Sequence, residues 1–305
     1  MKAALGSVGS VLGDQWREYF YCDSMPENVL VTKGQKRTTS RSSNTKSSEN
    51  IITNGAVIAV NEGQCMMIVD QGQLVEFAAE AGEFTWDSST EGSVLYGGFG
   101  EGLKSSWNNL KRRFTFGADT GKDQRIYFIN TKEIMENRFG TATPIPFRVI
   151  FDKTTGSEVE ISVKCNGEFT FRIVNPVVFY QKVAGNKADR FEKDELISIM
   201  KSEMMDALNP AFGKLSDLNI RYSELPSHTT EIKDALREAL RTRWEENRGI
   251  ALDSLTINSV TIPEADAEKI KNIQFSFINR DKDTANATIV SATADAIRDA
   301  ANNAN

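Results

Sequence analysis

Residues 56–77 read AVIAVNEGQCMMIVDQGQLVEF, and the fold of the chain turns on how this stretch is taken. Ala56–Asn61 is rich in β-branched residues, which fit a pleated, half-buried surface. Glu62-Gly63 supplies a turn and Cys65–Asp70 a second strand. Asp70-Gln71-Gly72-Gln73 turns the chain again before Leu74, Val75 and Phe77. With GEFTWD at 82–87 closing the series, the expectation is a compact antiparallel sheet wound as a meander. The stretch holds no pair of side chains suited to acid–base or nucleophilic chemistry, so what the sheet supports must be sought elsewhere in the chain.

At 305 residues the chain can bury a sizeable core, with room for two domains or for one domain and an extension. Its 40% hydrophobic and 26% charged content is ordinary for a globular protein. A formal net charge of −6 argues against a general nucleic-acid binder, which needs clustered basic residues to neutralise phosphates. Cys22, Cys65 and Cys165 lie 43 and 100 residues apart, so no two have zinc-ligand spacing. An odd, sparse set points to reduced, buried, inert thiols rather than a disulfide framework. No apolar run approaches the roughly 18–20 residues that span a bilayer. The N-terminus, MKAALGSVGSVLGDQW, interrupts its apolar positions with Gly and Ser, unlike the continuous apolar core of a signal peptide. The expected location is the cytoplasm.

Two segments of the first half have helical period. Over 3–20, Leu5, Val8, Leu12, Trp16 and Phe20 fall on one face, although the glycines and serines before Asp14 weaken the helix. Over 98–114, Phe99, Leu103, Trp107, Leu110 and Phe114 recur at intervals of 4, 4, 3 and 4, with Lys104, Lys111, Arg112 and Arg113 on or beside the stripe. Such a helix either packs on the sheet or lies in a membrane interface, its aromatic residues inserted and its basic ones facing anionic headgroups. Between the two, NVLVTKG reads as a strand, and residues 34–50 (GQKRTTSRSSNTKSSEN), without an apolar residue, as a mobile loop.

Strand signals resume at 125–130, 146–151, 158–165 and 167–174, where Asn175-Pro176 ends the last. The second half turns helical. Asp194 suits the N-cap and Asn209-Pro210 the stop of one helix; Ile232, Leu236 and Leu240 line the face of the next, with Gly249 as its C-cap. ALDSLTINSVTI is a strand, and Pro263 suits the first position of a further helix. That last segment is rich in Ala, Asp and Asn with scattered Ile and Phe, and it reads as a helix with too little apolar face to pack on its own domain. A neighbouring chain is its expected partner, through Ile270, Ile273, Phe277 and Ile289. The alternating charges of KADRFEKDE and REALRTRWEENR suit lateral subunit contacts or a solvated helix face.

Motifs for chemistry fail on inspection. His228, the one histidine, opens a helix in PSHTTE, and a helix-entry role is more ordinary than catalysis. GADTGKD at 117–123 is one residue short of a phosphate loop and puts Asp123 where a metal-binding hydroxyl belongs. GGFGEGL places Leu103 where a dinucleotide fingerprint needs its last glycine. No HExxH, EF-hand or paired CxxC occurs, so no catalytic, cofactor or metal residue is assigned.

The order of segments is more informative. GEFTWD is followed by IYFINTKEIMENRFGTATPIPFR (126–148), CNGEFTFRIVNPVVFYQKVAG (165–185), ALNPAFGKLSDLNIRYSELPSHT (207–229) and WEENRGIALDSLTINSVTIPEADAEKIK (244–271). This series resembles the SPFH family (stomatin, prohibitin and flotillin; the band-seven domain), and most closely its soluble bacterial, virion-core-protein-like (YdjI-like) branch. The likeness runs from DQWREYFYCDS to ATADAIRDAANNAN. It implies an α+β fold: a β-rich antiparallel SPFH sub-domain, then an α/β sub-domain and a C-terminal helical extension. On this chain the parts fall at 1–33 (N-terminal amphipathic helix and first strand), 34–50 (mobile polar loop), 51–174 (first sub-domain, with the helix 99–114), 175–262 (second sub-domain) and 263–305 (C-terminal helix, for oligomerisation).

The resemblance also implies side-by-side assembly into a ring- or cage-like homo-oligomer without enzymatic activity or cofactor. Such an assembly would organise membrane patches or partner proteins at the inner face of the cell membrane, in a membrane or envelope stress response. Its partners would be copies of itself, a recruiting membrane protein and anionic lipid, with no nucleic acid. The membrane or partner contacts expected are Leu5, Val8, Leu12, Trp16, Phe20, Phe99, Leu103, Trp107, Leu110, Lys111, Arg112, Arg113 and Phe114. The zinc ribbon of many relatives is not carried over, because the chain has no CxxC pair, and neither is the hydrophobic anchor of stomatin-like members. Two alternatives stand beside the scaffold: a monomeric or small-oligomer lipid-binding module acting through the amphipathic helices, and a hydrolase using Ser227 or a cysteine near His228.

Overall fold

The computed structural model describes residues 17–37, 50–87, 94–95, 104–105, 108, 123–152, 156–185, 189–277 and 290. In chain order the strands of the first half are β1 (Tyr19–Tyr21), β2 (Val29–Lys33), β3 (Gln35–Lys36), β4 (Val57–Val60), β5 (Gln64–Asp70), β6 (Gln73–Ala78), β7 (Gly82–Thr85), β8 (Val94–Leu95) and β9 (Gln124–Asn130). Three longer strands follow: β10 (Ile134–Gly140), β11 (Ile145–Asp152) and β12 (Ser157–Ile173). Then come α1 (Pro176–Phe179) with a π turn at Tyr180–Ala184, β13 (Arg190–Glu192), α2 (Asp194–Asp217), α3 (Thr229–Arg241) with a π turn at Thr242–Glu246, β14 (Ile250–Thr261) and α4 (264–277). Mainly antiparallel sheets and helices in one chain, with α4 following the last strand, make the fold α+β. The described residues divide into two compact units, one drawn from 1–139, 167–211 and 229–256, the other from 140–166, 212–228 and 257–305.

The quoted stretch forms its strands where expected but not one meander. β4 pairs with β7 (Val57↔Thr85 to Val60↔Gly82) and, in parallel, with β1, in a four-stranded sheet ordered β3-β1-β4-β7. β5 pairs instead with β6 and β9, in a six-stranded sheet ordered β13-β2-β9-β5-β6-β8. The turn between β4 and β5, closed by Gln64 N–H on the Asn61 carbonyl at 3.1 Å with Gly63 at φ +75°, hands the chain from one sheet to the other. Both sheets contribute side chains to one core. Ile58 and Val60 share that core with Met66, Ile68, Trp86, Ile126 and Phe128.

β5 shows why the sequence there is so apolar. Six consecutive residues, Gln64 to Val69, are buried, since Met66 and Ile68 fill the shared core while Cys65, Met67 and Val69 lie on the opposite face. A strand covered on both sides loses its polar alternation. On that opposite face Tyr127, the register partner of Met67, meets Tyr180 at 5.4 Å between ring centroids.

The signals at 158–165 and 167–174 belong to a single strand, β12, which pairs with β10, β11 and β14. Gly167 does not break it. A Cβ there would collide with the Thr256 carbonyl oxygen and lie 2.9 Å from the Phe139 ring, so glycine permits a close approach of backbones. β10, not foreseen as a strand, carries Glu136 at φ +57°, which shifts the inward face from Ile134 to Asn137 and Phe139. Asn137 Nδ2 donates to the carbonyls of Ile134 and Phe169 at 2.9 and 3.0 Å and secures the irregularity.

α2 runs through Asn209-Pro210, the stop expected from the sequence, and ends at Asp217. Pro210 removes one helical N–H at a cost of about 3 kcal/mol. The buried side chains beyond it, Phe212 and Leu215, each return about 2 kcal/mol, so packing keeps the helix going. Gly249 ends the next helical segment at φ +68°, with its N–H on the Glu245 carbonyl, as its capping role predicted. The charges of REALRTRWEENR are spent within the chain, on Arg237–Glu245, Arg241–Glu246 and Arg248–Glu203 pairs. KADRFEKDE is not one continuous helix face among its described residues. Of these, Arg190–Glu192 form edge strand β13, with Phe191 buried against Val31 in register and an Arg190–Glu192 pair at 3.0 Å, while Asp194 and Glu195 open α2.

Candidate interaction site

The second unit is built around the end of α2. Asn219 adopts φ +62°, Ile220 N–H returns to the Leu215 carbonyl at 3.1 Å, and Asn219 N–H to that of Ser216 at 2.9 Å. These two bonds are a Schellman motif, with Asn in the left-handed position that glycine more often takes. Glu224 then caps the next turn by accepting from Arg221 N–H at 3.1 Å. Ser216 Oγ donates to the Arg148 carbonyl, and the Arg148 guanidinium pairs with Asp217 and, at 3.6 Å, with Glu158. The end of α2 is thereby tied to β11, and Phe147 meets Phe212 edge to face at 6.1 Å.

α4 is fixed to the same unit. Asp266 accepts from Ser162 N–H at 2.8 Å and from Lys269 at 2.6 Å, and those two bonds hold its carboxyl below the ordinary range, the Lys269 bond contributing most. Ile270 is buried, and the Phe277 ring stacks on Phe151 at 6.1 Å and 18°. The expectation that this helix lacks a face for its own domain is therefore corrected over 264–277: Asp266, Ile270 and Phe277 are turned inward. Ile273 is half-buried, Phe275 is 52% exposed, and Ile289 lies outside the described residues.

Three segments distant in sequence meet here and enclose a cleft of about 650 Å³. Val149, Ile150 and Phe151 come from β11, Asn219 to Ser223 from the segment after α2, and Ala267, Ile270, Lys271, Gln274 and Phe277 from α4. The lining mixes apolar and polar side chains and includes two cations, Arg221 and Lys271, with no carboxylate among the described lining residues. No feature of the sequence marked Arg221, Tyr222 or Phe151. Only the αL asparagine, in the pattern Asn219-Ile220, signalled that the chain turns here.

Of the contacts expected from the sequence, Leu5, Val8, Leu12 and Trp16 lie outside the described residues, as do Phe99, Leu103, Trp107, Leu110, Lys111, Arg112, Arg113 and Phe114. Within that second segment Lys104, Ser105 and Asn108 are helical and exposed. Phe20 is placed differently from its expectation. It sits on strand β1 rather than on a helix over 3–20, and it is buried in the core with Ile58, so it is not free to enter a membrane.

Burial pushes the Cys22 and Cys165 thiols up to about 11 and the Cys65 thiol upward as well, which leaves all three protonated and poorly nucleophilic. Among the described residues no group of acidic, histidine or cysteine side chains could hold a metal ion, and no helix is long and apolar enough to cross a membrane. No curated protein matches the chain. The model of the SPFH domain–Band 7 family matches residues 44–275, more than half of the 305. That series of segments, carried on the α+β fold described above, places the chain in a family: it belongs to the SPFH domain–Band 7 proteins.

Proposed function

We propose that the chain is a non-enzymatic, oligomeric scaffold associated with the inner face of the cell membrane, where it organises membrane patches or partner proteins in a membrane or envelope stress response. The observation that carries this reading is the family match over 44–275, since the family is one of membrane-associated, generally non-enzymatic scaffold proteins. Its relatives would be those of the soluble, virion-core-protein-like branch. Its partners are further copies of itself, a recruiting membrane protein and anionic lipid. On α4, Phe275 is 52% exposed and offers an apolar contact that supports self-association.

Light scattering of the purified full chain, with and without liposomes of anionic or neutral lipid, tests the reading. Particles of many subunits that float with anionic liposomes are the expected result. Large particles indifferent to lipid assign recruitment to a protein partner. A monomer under every condition overturns the scaffold. The lipid-binding module is the second reading, favoured by the apolar spacing at 99–114. It predicts that replacing Trp107 and Phe114 by Ala abolishes flotation without changing particle mass.

A further inference from the structure

The cleft of the second unit has a property that a scaffold does not require. Arg125, Arg138, Arg148, Arg172 and Arg190 each pair with a carboxylate, as do the four arginines from Arg237 to Arg248. Among the described residues no carboxylate pairs with the Arg221 guanidinium; the nearby Glu224 carboxylate accepts from the Arg221 backbone N–H. Lys271 likewise has an aromatic ring and no carboxylate. Both cations line one cleft with Tyr222, Ser223 and Gln274, all able to donate hydrogen bonds. The apolar part of the lining is Val149, Ile150, Phe151, Ile220, Ile270 and Phe277. A volume near 650 Å³ is within the range of small-molecule sites, roughly 300–1,000 Å³.

We propose that this cleft binds a single-chain fatty acid, its carboxylate between Arg221 and Lys271 and its alkyl chain along the apolar floor formed by β11 and α4. The argument is one of complementarity. A purely apolar ligand would leave the two cations at the cleft without a counter-charge. A small hydrophilic anion would leave the aromatic and branched floor against water. An anionic amphiphile satisfies both, and a saturated chain has no further polar groups to match on the floor. The site is independent of the scaffold reading and can fail without it.

Calorimetric titration of the full chain with straight-chain alkanoates of 8 to 14 carbons, below their micelle concentrations, tests the proposal. Each added methylene is expected to strengthen binding about fourfold until the floor is covered. Dodecanol, isosteric but uncharged, is expected to bind at least about tenfold more weakly than dodecanoate, and the double variant Arg221→Glu/Lys271→Glu to lose at least about tenfold for dodecanoate. Arg221→Gln/Lys271→Gln, with a smaller loss, guards against misfolding of the charge-reversed protein. Four results overturn the proposal: no heat from dodecanoate at millimolar concentration; affinity that ignores chain length; equal affinity in both double variants and the unaltered chain; or displacement of dodecanoate by a polyglutamate peptide but not by dodecanol, which would make the cleft a site for acidic protein segments. Light scattering on the same samples reads particle mass separately, so loss of ligand binding and loss of assembly are told apart.

Discussion

Arg248 and Arg221 are the same side chain in opposite circumstances. In the first unit Arg248 makes two bonds to Glu203, at 2.6 and 2.9 Å, and Glu203 also accepts from Trp244 Nε1 at 2.9 Å. Both partners are largely buried, and Trp244 is held in place by the π turn that carries it. In the second unit Arg221 stands at a cleft with its backbone capped and its guanidinium without a carboxylate among the described residues. A charge closed on every side stabilises the fold that holds it, whereas a charge left over at the edge of an apolar cleft is available to something else. Substitutions should therefore be costly in the first setting and cheap in the second.

The largest effect is expected at Gly167. In Gly167→Ala the new methyl meets the backbone of Thr256 and the Phe139 ring, neither of which can withdraw, and the loss should be about 4 kcal/mol in the urea midpoint of the full chain. A shift under about 1 kcal/mol would mean that the close packing attributed to β12 is looser than described.

Glu203→Gln comes next. It strands a partly buried guanidinium while retaining a partner for Trp244, and about 3 kcal/mol should be lost. The same pair has a pH signature. Arg248 beside Glu203 holds its carboxyl below the ordinary value of 4.5, against the upward push of desolvation and with help from Trp244. A pKa lowered on folding contributes stability that is complete above the unfolded value and disappears as pH falls through the folded one. Urea midpoints followed below pH 4.5 should thus fall more steeply in the unaltered protein than in Glu203→Gln.

In the second unit the changes should be smaller. Asn219→Ala places an ordinary side chain at φ +62° and should lose about 1 kcal/mol, while Asn219→Gly should be neutral within a few tenths. Arg221→Gln should alter thermal stability by less than about 0.5 kcal/mol. If it lost more than Asn219→Ala, Arg221 would be bound into the fold as firmly as Arg248, and the contrast between the units would collapse.

What could be read in advance divides along physical lines. The strands of 56–77 were legible because turn glycines and β-branched runs act locally, and Gly63 and Gly72 both take positive φ. Which strands pair was not, since β4 joins β7 and β5 joins β9 through contacts that no local pattern encodes. β10 escaped because Glu136 breaks the two-residue alternation on which strand recognition depends. Pro210 was read as a stop by its usual cost, but tertiary packing prevails there, and the two strand signals at 158–165 and 167–174 proved to be one strand. The cleft was the least legible feature. Its walls come from residues near 150, 220 and 270, and none of these stretches alone is unusual.

Strand β13 has a consequence for how copies of the chain can meet. It is three residues long, shifts register between Phe191 and Glu192, and carries an arginine and a glutamate on its outer face. A border so brief, bent and charged makes a poor template for another backbone to extend the sheet. Along this border association must be negotiated by side chains, which have specific partners, rather than by main-chain ribbons, which accept almost any. If copies assemble as proposed, contacts of that kind form and part again, where open sheet borders would seed fibres.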